Sequence, residues 1–367
     1  MTSKTLARST IADVARHAGV SKATVSRFLN HRDRLLSVDI ARKVEAAIAE
    51  LGYTPSPMAQ ALKRGRSRLI GLVVADITNP YSVAVLQGAE QACREAGYLV
   101  MLFNIGNESE RESAGIRALL SYKVEGFILN TMGHDAGTVL ETARQGKPIV
   151  LVDRLHRGLD VDFVSLDNEH AIGLSAGHLV EGGYRELLLV TEPLGNVSSR
   201  IERARAFNAF VEAHGPEVAG RCLESGAQDT EALVAALRAL RERADALTKG
   251  AGHGGNGRQA PGLARSATLP AVITSNAVVT LRVVAAVAQL GWRLGRDIGL
   301  VGIDDPEWAP YVGPGITTVA QPTGDIGRMA ARCLMQRLGG SPVPARKISL
   351  PGTLWRRGST LPTRVVD

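Results

Sequence analysis

Four short apolar runs of this chain end on side chains able to hold hydroxyl groups or an anion. Asp76 follows LIGLVVA, Asp153 and Arg154 follow PIVLV, Asn276 follows AVITS, and Asp304 with Asp305 follows IGLVGI. Carboxylates and amides suit vicinal hydroxyls because each can hold two neighbouring donors, and a guanidinium grips a carboxylate or diol with directional paired donors. Two of the carboxylates have a competing local role: Asp305 is expected to open a turn and Asp76 to cap the helix that follows it.

The elements that would position these groups are legible in the periodicity. From Leu69 onward, apolar runs alternate with amphipathic segments: LIGLVVA, a helix near residues 82–96, YLVMLF, a helix, GFIL, a helix, PIVLV, and then a second series with ELLLVT, AVITS and IGLVGI. Continuous apolar runs are strands buried on both faces, so the series predicts parallel sheets covered by helices. Ligands of such sheets sit in the crevice at the carboxyl ends of the strands, which is where the polar residues fall.

The first 68 residues follow a different rule. In TIADVARHAGVSKATVSRFLN, Ile11, Val14, Ala15 and Ala18 recur at helical spacing, and Thr10 with Asp13 has the spacing of a capping box. Gly19 supplies a turn, Ser21 can cap a second helix with Val25 and Leu29 inward, and a third helix is expected from about Asp39, capped by Ser37 and ended by Gly52. Three such helices make a helix-turn-helix head, whose second helix enters the major groove, where all four base-pair orientations differ.

Charge supports the division. The 367 residues carry a net +7, yet residues 1–68 hold 13 Lys and Arg against 5 Asp and Glu, leaving the rest at −1. A positive excess confined to one end marks a polyanion-binding head on a nearly neutral body. No apolar run approaches the ~18 residues that span a bilayer, and charges interrupt the amino terminus before any signal-like stretch, so a cytoplasmic protein is expected. Cys93, Cys222 and Cys333 lack CxxC spacing, which predicts buried thiols rather than a zinc site or disulfide framework. No metal and no cofactor are expected.

TIADVARHAGVSKATVSRFLN, LGYTPSPMAQAL and IGLVVADITNPY resemble the lactose-repressor/galactose-repressor (LacI/GalR) family, and the resemblance continues through the whole chain. It implies a small all-α head (1–55), a hinge helix and linker (56–68), and an α/β body (69–367) of two Rossmann-like lobes, periplasmic-binding-protein-like, that binds an effector and dimerises. By this resemblance Lys22, Ala23 and Arg27 face base edges, while Ser21, Thr24, Ser26 and Asn30 hold phosphate or sugar. Ala59 and Leu62 of the hinge enter the minor groove, with Leu62 as the wedge that kinks the duplex. Ser56 and Pro57 suit the start of that hinge helix, although Pro57 and Met58 are uncommon for the family.

The same resemblance places Asn79, Tyr81, Arg203, Asn276 and Asp304 against a sugar or purine between the lobes. Ala277 stands where the family often has Asp, so one polar contact or helix cap is expected to be missing there. EWAPYVGPGITTVAQPTGDIG resembles regulators of ketogluconate and related sugar-acid metabolism. With Arg154, Arg200 and Arg203 lining the cleft and Trp308 able to stack on a sugar face or serve a core or dimer contact, a carboxylated sugar such as a ketogluconate is the expected effector.

The expected function is a repressor of double-stranded operator DNA, acting as a homodimer because hinges pair, with no carboxy-terminal heptad run to make a tetramer. Release by effector is the expected direction, with a corepressor as the alternative. A sugar receptor without DNA function would have no use for the basic head, and no GxSxG, Walker, HExxH or properly placed GxGxxG pattern points to an enzyme. Residues 247–268, rich in Gly and small polar residues and including His253, read as a flexible insertion rather than a phosphate loop.

Overall fold

The computed structural model describes residues 9–30, 36–54, 66–106, 108–131, 136–156, 158–250 and 269–360. The chain divides into two compact units, Met1–Arg68 and Leu69–Asp367. The hinge residues Ser56, Pro57, Met58, Ala59 and Leu62, and residues 251–268 with His253, lie outside the described residues.

In the first unit, α1 (Ile11–His17), α2 (Lys22–Leu29) and α3 (Val38–Glu50) enclose Val14, Ala15, Ala18, Val25, Val44 and Ala47. The capping box forms: Thr10 Oγ1 accepts from the Asp13 N–H, and the Asp13 carboxylate accepts from the Thr10 N–H. Gly19 takes φ +65°, a left-handed turn natural to glycine, and Ser21 then caps α2 by accepting from the Thr24 N–H at 3.1 Å. Ser37 caps α3 in the same way, and Gly52 at φ +56° turns the chain away from it.

The second unit holds two six-stranded sheets. β1 (Leu69–Val74), β2 (Leu99–Asn104), β3 (Gly126–Asn130), β4 (Ile149–Val152), β5 (Asp162–Leu166) and β11 (Lys347–Leu350) form lobe 1 in the order β11-β5-β4-β3-β1-β2, all parallel. β6 (Glu186–Thr191), β7 (Ala219–Glu224), β8 (Pro270–Thr274), β9 (Gly299–Ile303), β10 (Thr317–Ala320) and β12 (Thr353–Trp355) form lobe 2 in the order β12-β10-β9-β8-β6-β7, with β12 antiparallel. The central strands are buried along almost their whole length, as their unbroken apolar runs require. The edge strands β2 and β7 alternate or expose their side chains, and Cys222 on β7 is exposed, contrary to the burial expected of it.

Helices α4 (Pro80–Glu95), α5 (Ser109–Ser121) and α6 (Ala136–Arg144) belong to lobe 1, and α7 (Asn168–Glu181), α8 (Ser198–Ala213), α9 (Thr230–Gly250) and α10 (Ala277–Gln289) to lobe 2. α9 runs to Gly250, so residues 247–250 are helical rather than the start of a loop; Thr248 still donates its hydroxyl to the Ala244 carbonyl, as helical Thr does. The chain passes between lobes after β5, after β10, and between β11 and β12.

The second passage delivers α11 (Thr323–Leu338) to lobe 1, where it packs on α4 and approaches it most closely at glycines. A Cβ on Gly88 would meet the Gly324 carbonyl, and one on Gly327 would meet the Val85 carbonyl, so the two backbones touch. Asp162, with a fully buried side chain at the start of β5, ties this region down. It accepts from Arg337 of α11 through Nε at 2.9 Å and Nη2 at 3.0 Å, and from Arg346 through its N–H, Nε and Nη2 at 2.9–3.0 Å. Burial alone would raise the Asp162 pKa, but these hydrogen bonds outweigh it and hold the carboxyl well below the usual range.

Because the folded form then binds fewer protons than the unfolded chain, the clamp contributes its full stability above about pH 4 and loses it as pH falls. Asp162→Asn is expected to cost about 3 kcal/mol at pH 7, the lower end for deleting one partner of a buried pair, since both arginines retain some solvent. Urea midpoints measured from pH 7 to pH 2 should fall less steeply for the variant than for the parent.

Candidate functional site

On the first unit, α2 exposes Lys22, Ala23 and Arg27, whereas Thr24, Ser26 and Asn30 are half-buried along its flank. Ser21 and Thr24 share a 2.9 Å hydroxyl contact at the start of the helix, and Asn30 Nδ2 donates to the Ser26 carbonyl at 2.5 Å, which closes the helix end. Three long or small side chains are therefore presented together, with hydroxyls and amides beside them.

In the second unit a cavity of about 240 Å³ opens between the lobes at the carboxyl ends of both sheets. Lobe 1 contributes Asp76, Asn79, Tyr81, Asn130, Asp153 and Arg154; lobe 2 contributes Glu192, Ser199, Arg200, Arg203, Asn276, Arg282 and Asp304; Gln321 stands on a passage between them. Two of these repeat each other. Asp153 follows β4 at φ +64° and gives its N–H to the Val164 carbonyl, and Asp304 follows β9 at φ +78° and gives its N–H to the Val319 carbonyl. A left-handed backbone at a non-glycine residue carries strain, and its appearance at the same place in both lobes puts that strain on the cavity wall.

Asp153 connects the lobes. Ser199 at the start of α8 donates to its Oδ2 at 3.2 Å, Arg203 of the same helix lies 3.8 Å from its Oδ1, and Arg154 lies 3.4 Å from its Oδ2. The Leu155 N–H, just beyond, donates to Ser198 Oγ at 2.9 Å. Arg203 is held rigidly by donating Nε to Asn168 and Nη1 to the Ser275 carbonyl, which leaves Nη2 with no hydrogen bond. Asp304 accepts from the Ala277 N–H and from Gln321 Nε2. Burial raises its pKa, opposed by Arg203 and these hydrogen bonds and reinforced by Asp153. Tyr81 is 7% exposed and its hydroxyl has no partner; burial first, then Asp153 and Asp304, push its pKa well above the usual value.

Six residues expected at an effector line the cavity: Asn79, Tyr81, Arg154, Arg203, Asn276 and Asp304. Trp308 does not. It packs half-buried against the lobe 2 core of Val279, Val283 and Ile316, so a core role replaces the expected stacking. Asn79 caps α4 by accepting from the Tyr81 N–H, the role expected of Asp76, which instead accepts from the N–H and hydroxyl of Thr78. Asn276 caps α10, so Ala277 leaves no cap missing, and the Ala277 N–H is what Asp304 binds. Asp305 is structural, paired through both oxygens with Arg357. Sequence reasoning missed Asn130, Glu192 and Gln321, although each ends or directly follows a strand. Glu192 receives Arg200 Nη2 at 2.6 Å and Asn276 Nδ2 at 2.8 Å. Burial lowers the Arg200 pKa, an effect that Glu192 opposes and Arg154 reinforces.

The family model for bacterial regulatory proteins of the lacI family matches residues 10–56, and the one for periplasmic binding protein-like domains matches residues 176–360. The HTH-type transcriptional regulator PtxS of Pseudomonas aeruginosa is 44% identical over 355 residues, 97% of this chain and 96% of its own. The HTH-type transcriptional regulator KdgR of Bacillus subtilis is 36% identical over 98% of this chain and 100% of its own. Among solved structures, the lac repressor dimer bound to operator and the anti-inducer ONPF superposes with a TM-score of 0.77 at 26% identity, covering 97% of this chain and 100% of that one.

A buried hydroxyl without a partner costs stability unless a ligand completes it. Tyr81→Phe is therefore expected to leave the ligand-free melting temperature unchanged or raise it, by up to about 1 kcal/mol in stability. Calorimetric melting of both proteins without ligand tests this, and a clear drop would mean the hydroxyl is already satisfied.

Proposed function

Because the chain belongs to the lacI family of bacterial regulatory proteins, and is thus a sequence-specific DNA-binding transcriptional regulator, we propose that it is a homodimeric repressor released from its operator by a sugar acid. The observation that carries the ligand class is the cavity wall: four guanidiniums stand among carboxylates and amides at the ends of two sheets. Amides and carboxylates satisfy hydroxyls, and guanidiniums satisfy an acid group, so a polyhydroxy carboxylate such as a ketogluconate meets both.

The head works through α2. Lys22 and Arg27 read base edges, Ala23 gives an apolar contact, and Ser21, Thr24, Ser26 and Asn30 hold the phosphate backbone. Ala59 and Leu62 act in the minor groove, and pairing of two chains supplies the second half-site. The effector acts by population shift: bound across Asp153, Arg203 and Asp304, it favours one disposition of the lobes over another, and operator affinity changes by that difference. The protein works in the cytoplasm and turns over no substrate; among the described residues, no helix is long and apolar enough to cross a membrane.

Operator fragments selected from a random duplex pool should bind with a salt-dependent preference over random duplex, and Arg27→Ala should cost about 1 to 3 kcal/mol at one base position while sparing the others. Adding 2-ketogluconate should weaken binding to the selected fragment by about fivefold or more in fluorescence anisotropy. Tighter binding with the acid, or no sequence preference at all, would sink this reading.

A further inference from the structure

Three of the four cavity arginines already face a carboxylate. Arg154 lies 3.4 Å from Asp153, Arg203 lies 3.8 Å from the same group, and Arg200 binds Glu192 at 2.6 Å. Arg282 differs. It forms no ion pair among the described residues, and its Nη1 stands 3.5 Å from the Ser225 carbonyl, at the limit of a hydrogen bond. The fourth cavity acid, Asp76, binds the N–H and hydroxyl of Thr78 instead.

Position makes the exception informative. Arg282 is half-buried and lies one helical turn after Val278 on α10, and both line the cavity. Residues four apart share one helix face, so the helix that Asn276 caps presents a guanidinium to the cavity beside Ala227. Elsewhere in the cavity, Tyr81 and Asp304 both feel Asp153, and Tyr81 also feels Asp304. A carboxylate placed among these acids would meet like charge, and Arg154 and Arg203 there already share the Asp153 carboxylate. The buried Tyr81 hydroxyl and Arg203 Nη2, both without hydrogen-bond partners, are suited to the neutral oxygens of a sugar.

We propose that Arg282 is the specificity-determining residue for an acidic effector: its guanidinium receives the carboxylate, while the hydroxyls of the same molecule lie toward Tyr81, Arg203 and Asp304. This rests on the cavity being a sugar-acid site, and it adds the orientation of the ligand and the group that tells an acid from a neutral sugar. A guanidinium without an internal anion keeps its charge and most of its donors for the ligand, whereas the paired arginines shape the wall.

The experiment compares 2-ketogluconate with D-fructose, which carries a hydroxymethyl group in place of the carboxylate. Titration calorimetry at fixed ionic strength on the full chain should show the parent preferring the acid by about tenfold or more, the scale of one charge-assisted contact. Arg282→Gln should weaken the acid by about ten- to a hundredfold and leave fructose within about twofold, so that the preference collapses. Arg282→Lys, which keeps the charge but loses the paired geometry, should retain part of it, and it serves if the Gln variant fails to fold. If the parent prefers the acid and either folded variant keeps that preference in full, the assignment to Arg282 is wrong while the sugar-acid reading stands. If the parent shows no preference, both are wrong.

Discussion

The second unit is organised around a carboxylate that cannot stay alone. Asp153 sits almost fully buried on a left-handed backbone at the end of β4, and an isolated charge there would cost several kcal/mol. Arg154 beside it supplies one charge, and α8 of the other lobe supplies Ser199 by a hydrogen bond and Arg203 by charge. Satisfying one buried group therefore requires both lobes, and Arg203 in turn is aimed by Asn168 and the Ser275 carbonyl. Asp304 repeats the geometry from the opposite sheet, so the cavity is walled by two strained acids with a cation between them.

The parallel sheets were legible because strands buried on both faces must be apolar throughout, and LIGLVV, GFILN and ELLLVT could be nothing else of that length. β5 and β10 escaped notice although buried, because Asp162, Ser165, Thr317 and Thr318 break their runs, and β7, β11 and β12 did so for the converse reason. At or near sheet edges their side chains meet solvent, as AGRCLE and TLW show, and no apolar run survives to mark them. The rule that polar residues after strands face the ligand located Asp153, Asn276 and Asp304, and applied more strictly it would have added Asn130, Glu192 and Gln321. Arg282 had no such signal, since it lies within an apolar helix whose inner and outer faces sequence cannot tell apart. Trp308 misled because an aromatic suits a sugar ring and a core equally well.

The head shows how local rules suffice when a domain is small. Caps at Thr10, Ser21 and Ser37, left-handed glycines at 19 and 52, and Asn30 at the end of α2 set the six helix ends, leaving six buried Val and Ala residues and the partly buried side chains around them to do the packing. Those choices leave the outer face of α2 unconstrained by folding. Its Lys22, Ala23 and Arg27 stand exposed there, held to no packing partner in the core.

Where Gly88 and Gly327 bring the backbones of α4 and α11 into contact, no side chain can act as a lubricant between them. A helix pair meshed main chain to main chain resists sliding, so α4, with the cavity-lining Asn79 and Tyr81 at its start, and α11, which begins just after Gln321, are coupled as one piece. Whatever strain an occupant imposes at either helix start is then not dissipated inside lobe 1. It is passed to the three crossings of chain that join the lobes.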